Sequence, residues 1–520
     1  MKNKFLQGAL ILTIAGLMVK VIGSVNRILL SRLLGGEGIG LYQIAYPIYL
    51  LIIAVSAAGV PTAISIMVAE LVAQKDYRGA RRIFKVSALL MLIAGSCFAV
   101  LLYYLANWLI AMGVIRDARA YYALMALIPA VFFATILASF RGYFQGYQNM
   151  TPPAVSQILE QLVRVTVMLV LAYYLLPQGL EYAAAGAAFG AVPGSITGIA
   201  VLGFFYYRHK EMWQLPVDAC NNGNGASVGS IALSLLELAI PVSCANLMLP
   251  VVTGIDMLIV PERLETAGFT IKEATTAFGY LAGMALPLVT MSTIPTTSIA
   301  AAIVPAISEA KALGNLDEIK SKCAMGLRLG TIITLPAALG VWALAMPISK
   351  LLYGTTKAAT VIAQMSPSIF FFGLQQVTTG ILQGMGHTYM PMVNMLISVV
   401  VKAFSLWHLT ANPAYNIVGA AWASDLNFLV GALLNILCLA IFGKCVLPFK
   451  TMSKILLSGV LMTGAVVAIN SKMLAWGVGN TISTLLSVAV GAVVYLLCLS
   501  VMHELEDVKE FLQKKRGRHK

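Results

Sequence analysis

Lys20 and Arg27 lie seven residues apart in the apolar opening of this 520-residue chain. Seven residues of helix turn about 700°, roughly 20° short of two turns, and rise about 10 Å, so both cations share one face. Thr13, Gly16, Gly23, Ser24 and Ser31 fall on that face, and the opposite side is Leu, Ile and Val. Two cations among hydroxyls can hold an anion, a diphosphate being the natural choice. Arg27 is the stronger candidate, because a guanidinium makes forked hydrogen bonds to phosphate and an ammonium does not. Small residues on the same face equally permit close helix packing, with the cations meeting carboxylates elsewhere.

Four more cations fall inside apolar segments: Arg32, Arg164, Arg328 and Lys402. Each is costly at mid-membrane, about 2.5–3.5 kcal/mol, and therefore faces protein or water. Arg32 and Arg328 are near helix ends and can snorkel. Arg164 follows Glu160 by four residues, the favourable order for an ion pair. Lys402 has no acid on its own helix but shares a face with Asn394, Ser398 and Ser405. The candidate substrate-binding set is thus Lys20, Ser24, Arg27, Arg164 and Lys402. Asp256, Asp425 and Glu160 are candidates for binding a coupling cation or for pairing with these charges. Glu70 and Glu309 begin polar loops and read as solvated.

Other chemistry is excluded. The seven cysteines are scattered without a CxxC, and no histidines pair at i, i+4, so neither a disulfide framework nor a metal site is expected. No nucleophile–base pair appears, and no cofactor is expected. Gly36, Gly38 and Gly40 lack the preceding strand of a nucleotide fingerprint.

The elements that must carry these residues are membrane helices. Hydrophobic residues make up 59% of the chain and charged ones 11%, against about 25% charged in soluble domains. Apolar segments fall at about 8–33, 41–72, 84–107, 119–141, 153–176, 182–207, 230–260, 274–308, 323–348, 358–383, 391–411, 415–441, 453–470 and 480–502. These fourteen predict an all-α, multi-pass protein of the cell membrane. Alternate loops and the termini hold 22 Lys and Arg, including Arg141. The opposite loops hold seven: Arg116, Arg119, Arg263, Lys272, Lys350, Lys357 and Lys472. That split predicts cytoplasmic termini, and it attributes the net charge of +14 to topology rather than to nucleic-acid binding.

An internal repeat groups the helices. Gly142-Tyr143-Phe144-Gln145-Gly146 recurs 238 residues later as Gly380-Ile381-Leu382-Gln383-Gly384, and the same offset matches Pro153 with Pro391 and Arg164 with Lys402. Ile64 and Glu70 match Ile303 and Glu309 at 239. Six helices per copy give both copies one orientation, as in transporters with a pseudo-twofold along the membrane normal. The expected divisions are a lobe over 1–207, a cytoplasmic linker at 208–229, a second lobe over 230–441, a helix pair in 442–502 and a basic tail at 503–520.

Gly8…Lys20…Asn26-Arg27…Arg32…Gly35…Gly38…Tyr42, Gly59-Val60-Pro61-Thr62-Ala63-Ile64-Ser65, Glu70 and Phe140–Gly146 carry a family resemblance over the whole length. The chain resembles the polysaccharide-export branch of the multidrug/oligosaccharidyl-lipid/polysaccharide exporter superfamily, to which lipid II flippases are related. The resemblance implies two six-helix lobes plus a C-terminal pair. It also implies export of a lipid-linked sugar intermediate, for a cell wall or spore cortex. The implied partners are that substrate, membrane lipids and wall synthases. One departure concerns cargo: lipid II flippases carry cavity arginines on helices 2 and 8, whereas here helix 2 is uncharged until Glu70 and helix 8 has no cation before Lys311. A cation-coupled multidrug exporter on the same fold and a non-transport scaffold are the alternatives.

Overall fold

Segments that are apolar on every side have no water-facing stripe, and such segments fold as helices whose outer surface meets lipid. The structure, a computed structural model, describes residues 2–57, 59–208, 227–443 and 449–504, and within them it is helical without strands. Most of the 208–229 linker and nearly all of the basic tail lie outside the described residues. The helices of the first repeat copy are α1 (Lys2–Ser56), α2 (Val60–Ala73), α3 (Tyr77–Ala111), α4 (Ala120–Gly146), α5 (Thr151–Leu175), α6 (Leu180–Phe189) and α7 (Ala191–Arg208). Next come α8 (Val228–Asn246), α9 (Met248–Thr266), α10 (Ile271–Phe278), a π-helical turn (Gly279–Ala285), α11 (Leu286–Ser292) and α12 (Ile294–Ala312). The chain continues through α13 (Leu316–Ala343), α14 (Ala345–Tyr353), α15 (Ala359–Met365), α16 (Pro367–Gly384), α17 (Tyr389–Thr410) and α18 (Asn416–Gly443). It ends with α19 (Phe449–Ala475) and α20 (Asn480–Val501).

Among the described residues, eleven helical stretches are long and apolar enough to cross a membrane. The first two expected spans form one continuous apolar stretch, Ile14–Ala73: α1 carries the first and the start of the second, with a kink at Gly35, whose φ of 66° is a left-handed conformation that glycine tolerates, and α2 carries the rest. The spans expected at 230–260 and 358–383 are each broken into two shorter helices, around 247 and at Ser366-Pro367. These three differences account for the step from fourteen to eleven.

The helices cluster into two compact units. One comprises Met1–Glu262 with Thr270–Gly279, the other Arg263–Phe269 with Tyr280–Lys520. Packing thus groups α8, α9 and α10 largely with the first unit, whereas the sequence repeat groups them with the second copy. In the first unit, Asp117 is buried and ties three segments together. It accepts hydrogen bonds from the backbone N–H, Nε and Nη2 of Arg119 (3.1, 3.0 and 2.7 Å) and from the Thr275 hydroxyl (2.9 Å). Arg119 also bonds Glu37 at 2.6 Å. The hydrogen bonds to Asp117, reinforced by Glu37, push the Arg119 guanidinium further above its ordinary value.

Each unit contains one copy of the same helix crossing. In the first, α4 lies so close to α2 that a Cβ at Gly142 would sit 2.8 Å from the Pro61 carbonyl, and one at Gly146 would sit 3.0 Å from that of Ser65. In the second, Gly380 and Gly384 of α16 would meet the Ala300 and Val304 carbonyls of α12, each at 2.8 Å. Ala300 and Val304 stand 239 residues after Pro61 and Ser65. A nearby contact is exchanged between copies: Gly95 faces Thr135, and at the matching positions Thr334 faces Gly373. One partner supplies the bulk and the other the gap, with the roles reversed. The two cores repeat as well, Ile64, Val68 and Tyr143 in one and Ile303, Ile307 and Ile381 in the other.

The C-terminal pair is anchored by its own core. Ile455, Met462 and Val466 of α19 and Tyr495 and Leu499 of α20 pack with Leu335 and Leu339 of α13. An ion cluster seals one end: Arg328 bonds the Glu504 carboxylate at 2.8 Å, and Lys454 reaches the same carboxylate at 3.1 Å. This corrects the expectation that Arg328 snorkels. Its side chain is only 9% exposed, because Glu504, 176 residues away, provides a buried partner.

Candidate functional site

Helix α5 has one stripe open to its surroundings, formed by Leu159, Leu162, Thr166, Val170 and Tyr173. Arg164 is two residues from both Leu162 and Thr166, hence about 200° around the helix and turned away from that stripe. The expected Glu160–Arg164 pair is present at 3.0 Å. A second arginine joins it, since Arg141 of α4 donates to the other Glu160 oxygen. Arg141, expected in a loop, lies within α4, which continues to Gly146. The Nε–H groups of Arg141 and Arg164 are buried and have no hydrogen-bond partner. One carboxylate shared between two guanidiniums leaves net positive charge with donors to spare.

Helix α1 presents Ile14, Leu17, Met18, Val21, Val25 and Leu29 on its open apolar stripe. Ser24 borders that stripe, about 20° from Leu17, and Lys20 and Arg27 follow about 60° and 80° from Leu17. A Cβ at Gly23 would lie 3.2 Å from Gln161 Nε2, and Asn26 donates to Met168 Sδ at 2.8 Å, so that edge of α1 rests on α5. The adjacent edge is not packed. Gly16 has no neighbour within 4 Å of a built Cβ, Lys20 is exposed, and Ser24 and Arg27 are half-buried. The second half of α1 completes the group with three tyrosines. Tyr42 and Tyr49 lie in the field of Arg164, and Tyr42 also in that of Arg27.

The first unit therefore joins Arg141 and Arg164 on one carboxylate, Glu160, while Lys20 and Arg27 lie on α1, which packs against α5 through Gly23 and Asn26. Two guanidiniums against one acid suit an anion, to which guanidiniums donate charge-assisted bonds in pairs. Two parts of this group escaped the sequence reading. Arg141 could have been found by noting that Phe140–Gly146 continues an uninterrupted helix. The tyrosines could have been found from their i, i+4, i+7 spacing.

The remaining candidates fall elsewhere. Asp256 is buried on α9 in the first unit. Lys402 and Asp425 belong to the second unit. Lys402 is buried on α17 beside Asn394 and Ser398, as its polar stripe implied. Asp425 accepts a hydrogen bond from Ser368 of α16. Helices α17 and α18 pair antiparallel, with Gly419 against Leu409 and Asn394 bonded to Asn435, which sets Lys402 about level with residues 426–427, within one turn of Asp425. Glu70 and Glu309 are exposed, as expected. Among the described residues, no cluster of His, Cys, Asp and Glu has the composition of a metal site.

The polysaccharide biosynthesis protein family matches residues 5–311, more than half of the chain. The chain belongs to that family. The MatE family also matches, over residues 280–407. Stage V sporulation protein B of Bacillus subtilis (strain 168) is 29% identical over 506 residues, covering 96% of each chain. The lipid II flippase MurJ of the same organism is 26% identical, covering 96% of this chain and 95% of its own. Among solved structures, a lipid II flippase MurJ in an inward closed conformation superposes with a TM-score of 0.70 at 14% identity, covering 95% of this chain and 99% of its own. An inward-facing multidrug resistance MATE family transporter gives 0.65 at 16%, covering 82% of this chain and 96% of its own. The family is thus one of multi-pass membrane proteins, and the fold is the one shared by these transporters.

Proposed function

We propose that this protein is a flippase that carries a lipid-linked saccharide diphosphate from the inner to the outer leaflet of the cytoplasmic membrane. The observation that carries the reading is the pair of guanidiniums, Arg141 and Arg164, that share the single carboxylate of Glu160 and keep unpaired Nε–H groups, with Lys20 and Arg27 on the helix that packs against α5. A cation kept within a membrane at such cost needs a partner; Arg328 has one in Glu504, whereas Arg141 and Arg164 share one and have donors left over, and a diphosphate matches their sign and donor geometry. Arg27 and Arg164 hold the diphosphate, Lys20 and Ser24 line the approach, and the prenyl tail remains in lipid. Lys402 in the second unit is the counterpart of Arg164 in the repeat, and Asp256 and Asp425 are where a coupling cation would bind. The named relatives, a sporulation protein and a lipid II flippase, support a cell-wall or spore-cortex precursor as cargo. Synthases that consume the exposed sugar are its expected partners.

The loop charge split, 21 to 7 once Arg141 is counted in α4, supports cytoplasmic termini, and the duplicated helix crossings support two six-helix lobes over 1–207 and 230–441. The MatE match favours a second reading, a cation-coupled multidrug exporter. The net positive charge of the site opposes it, because a cationic drug would be repelled.

A leaflet-exposure assay on the purified protein in vesicles tests the reading. A prenyl-diphosphate-linked sugar should reach the opposite leaflet faster than in empty vesicles, and a cationic dye should not be transported. Transport of the dye alone would favour the exporter.

A further inference from the structure

Tyr42, Tyr46 and Tyr49 occupy i, i+4 and i+7 of the second half of α1, one face of the helix. Tyr42 and Tyr46 stack with ring centroids 5.3 Å apart and planes inclined by 21°, and Tyr46 meets Tyr49 at 5.9 Å. The outer two rings are locked: Tyr42 is 7% exposed and Tyr49 only 4%. The middle ring, Tyr46, is half-buried and keeps open surface. It lies in the field of Arg164, as Tyr42 and Tyr49 do. A saccharide ring joined directly to a diphosphate must lie within a few bonds of whatever holds the phosphates. A tyrosine there offers an apolar ring surface for the C–H face of a pyranose and a hydroxyl for its oxygens. A ring fixed between two neighbours also loses little further freedom when it binds.

We propose that Tyr46 is the sugar-contacting, specificity-determining residue of this site, its ring lying against the first pyranose of a prenyl-diphosphate-linked saccharide. The inference rests on the diphosphate reading of Arg27 and Arg164, and the two are separated by using two donors. The full-length protein in vesicles is given either prenyl diphosphate alone or prenyl diphosphate carrying one N-acetylhexosamine, and leaflet exposure is measured for each. Tyr46→Ala should slow the sugar-bearing donor by about three- to tenfold, the worth of one aromatic contact, and change the sugar-free donor less than twofold. Tyr46→Phe, which preserves the stack, should retain most transport of both. Arg27→Ala should slow both donors alike. Equal losses on the two donors for Tyr46→Ala, or no loss on either, would overturn the proposal and leave the ladder a packing element. Unchanged transport of both donors in Arg27→Ala and Arg164→Ala would instead overturn the diphosphate reading.

Discussion

Replacing Glu504 by Gln tests whether the C-terminal helix pair is held by charge as well as by packing. The carboxylate is 5% exposed and joins Arg328, 9% exposed, at 2.8 Å and Lys454, 49% exposed, at 3.1 Å. Removing one partner of a buried pair leaves the other charge uncompensated, at a cost of about 3–5 kcal/mol. The low end applies here, since the Glu504 backbone carbonyl also accepts from Arg328 and survives the substitution. The Lys454 contact adds little, because that ammonium is half-exposed and screened by water. For a unit of this size, about 3 kcal/mol lowers the midpoint of thermal unfolding by roughly 6–12 °C. Thermal unfolding of the full-length protein in detergent reads the shift. Arg328→Met combined with Glu504→Leu should recover much of the loss, since no lone charge is left buried. A midpoint within a degree of the parent for Glu504→Gln, or a double variant no better than the single one, would refute the reasoning.

Arg27→Ala should insert normally into the membrane yet fail to complement a cell dependent on this transporter. Arg27→Lys should restore part of the function, and Arg32→Ala, on the exposed end of its helix half, should be milder; growth at normal protein level with Arg27→Ala would contradict the phosphate role. Gly142→Ala and Gly380→Ala should each destabilise their own unit by about 1–3 kcal/mol through overpacking against Pro61 and Ala300. Gly16→Ala, with open space around it, should leave the midpoint unchanged or slightly raised. Cysteines introduced in the 208–229 loop should resist a membrane-impermeant reagent in intact cells, and labelling there would reverse the proposed orientation.

What could be read from the sequence concerns properties that are local or periodic. Composition alone required a membrane fold, because so few charges cannot cover a soluble surface. The 100° step of a helix put Lys20 and Arg27 on one face of α1, and the four-residue spacing of Glu160 and Arg164 put their side chains in reach of each other. The offset of 238–239 announced the duplicated α2–α4 and α12–α16 crossings before any contact was visible. What the tertiary structure decided concerns partners across long separations. Periodicity places Arg328 on a helix face but cannot supply Glu504 176 residues later, so an end-of-helix cation read as a snorkelling one. Arg141 joined Glu160 only once α4 and α5 were packed side by side. The tyrosine ladder shows its spacing in the sequence, but that Tyr42 and Tyr49 are locked while Tyr46 stays open depends on which neighbours cover each ring. Burial is a property of the assembled helices, and no single segment carries it.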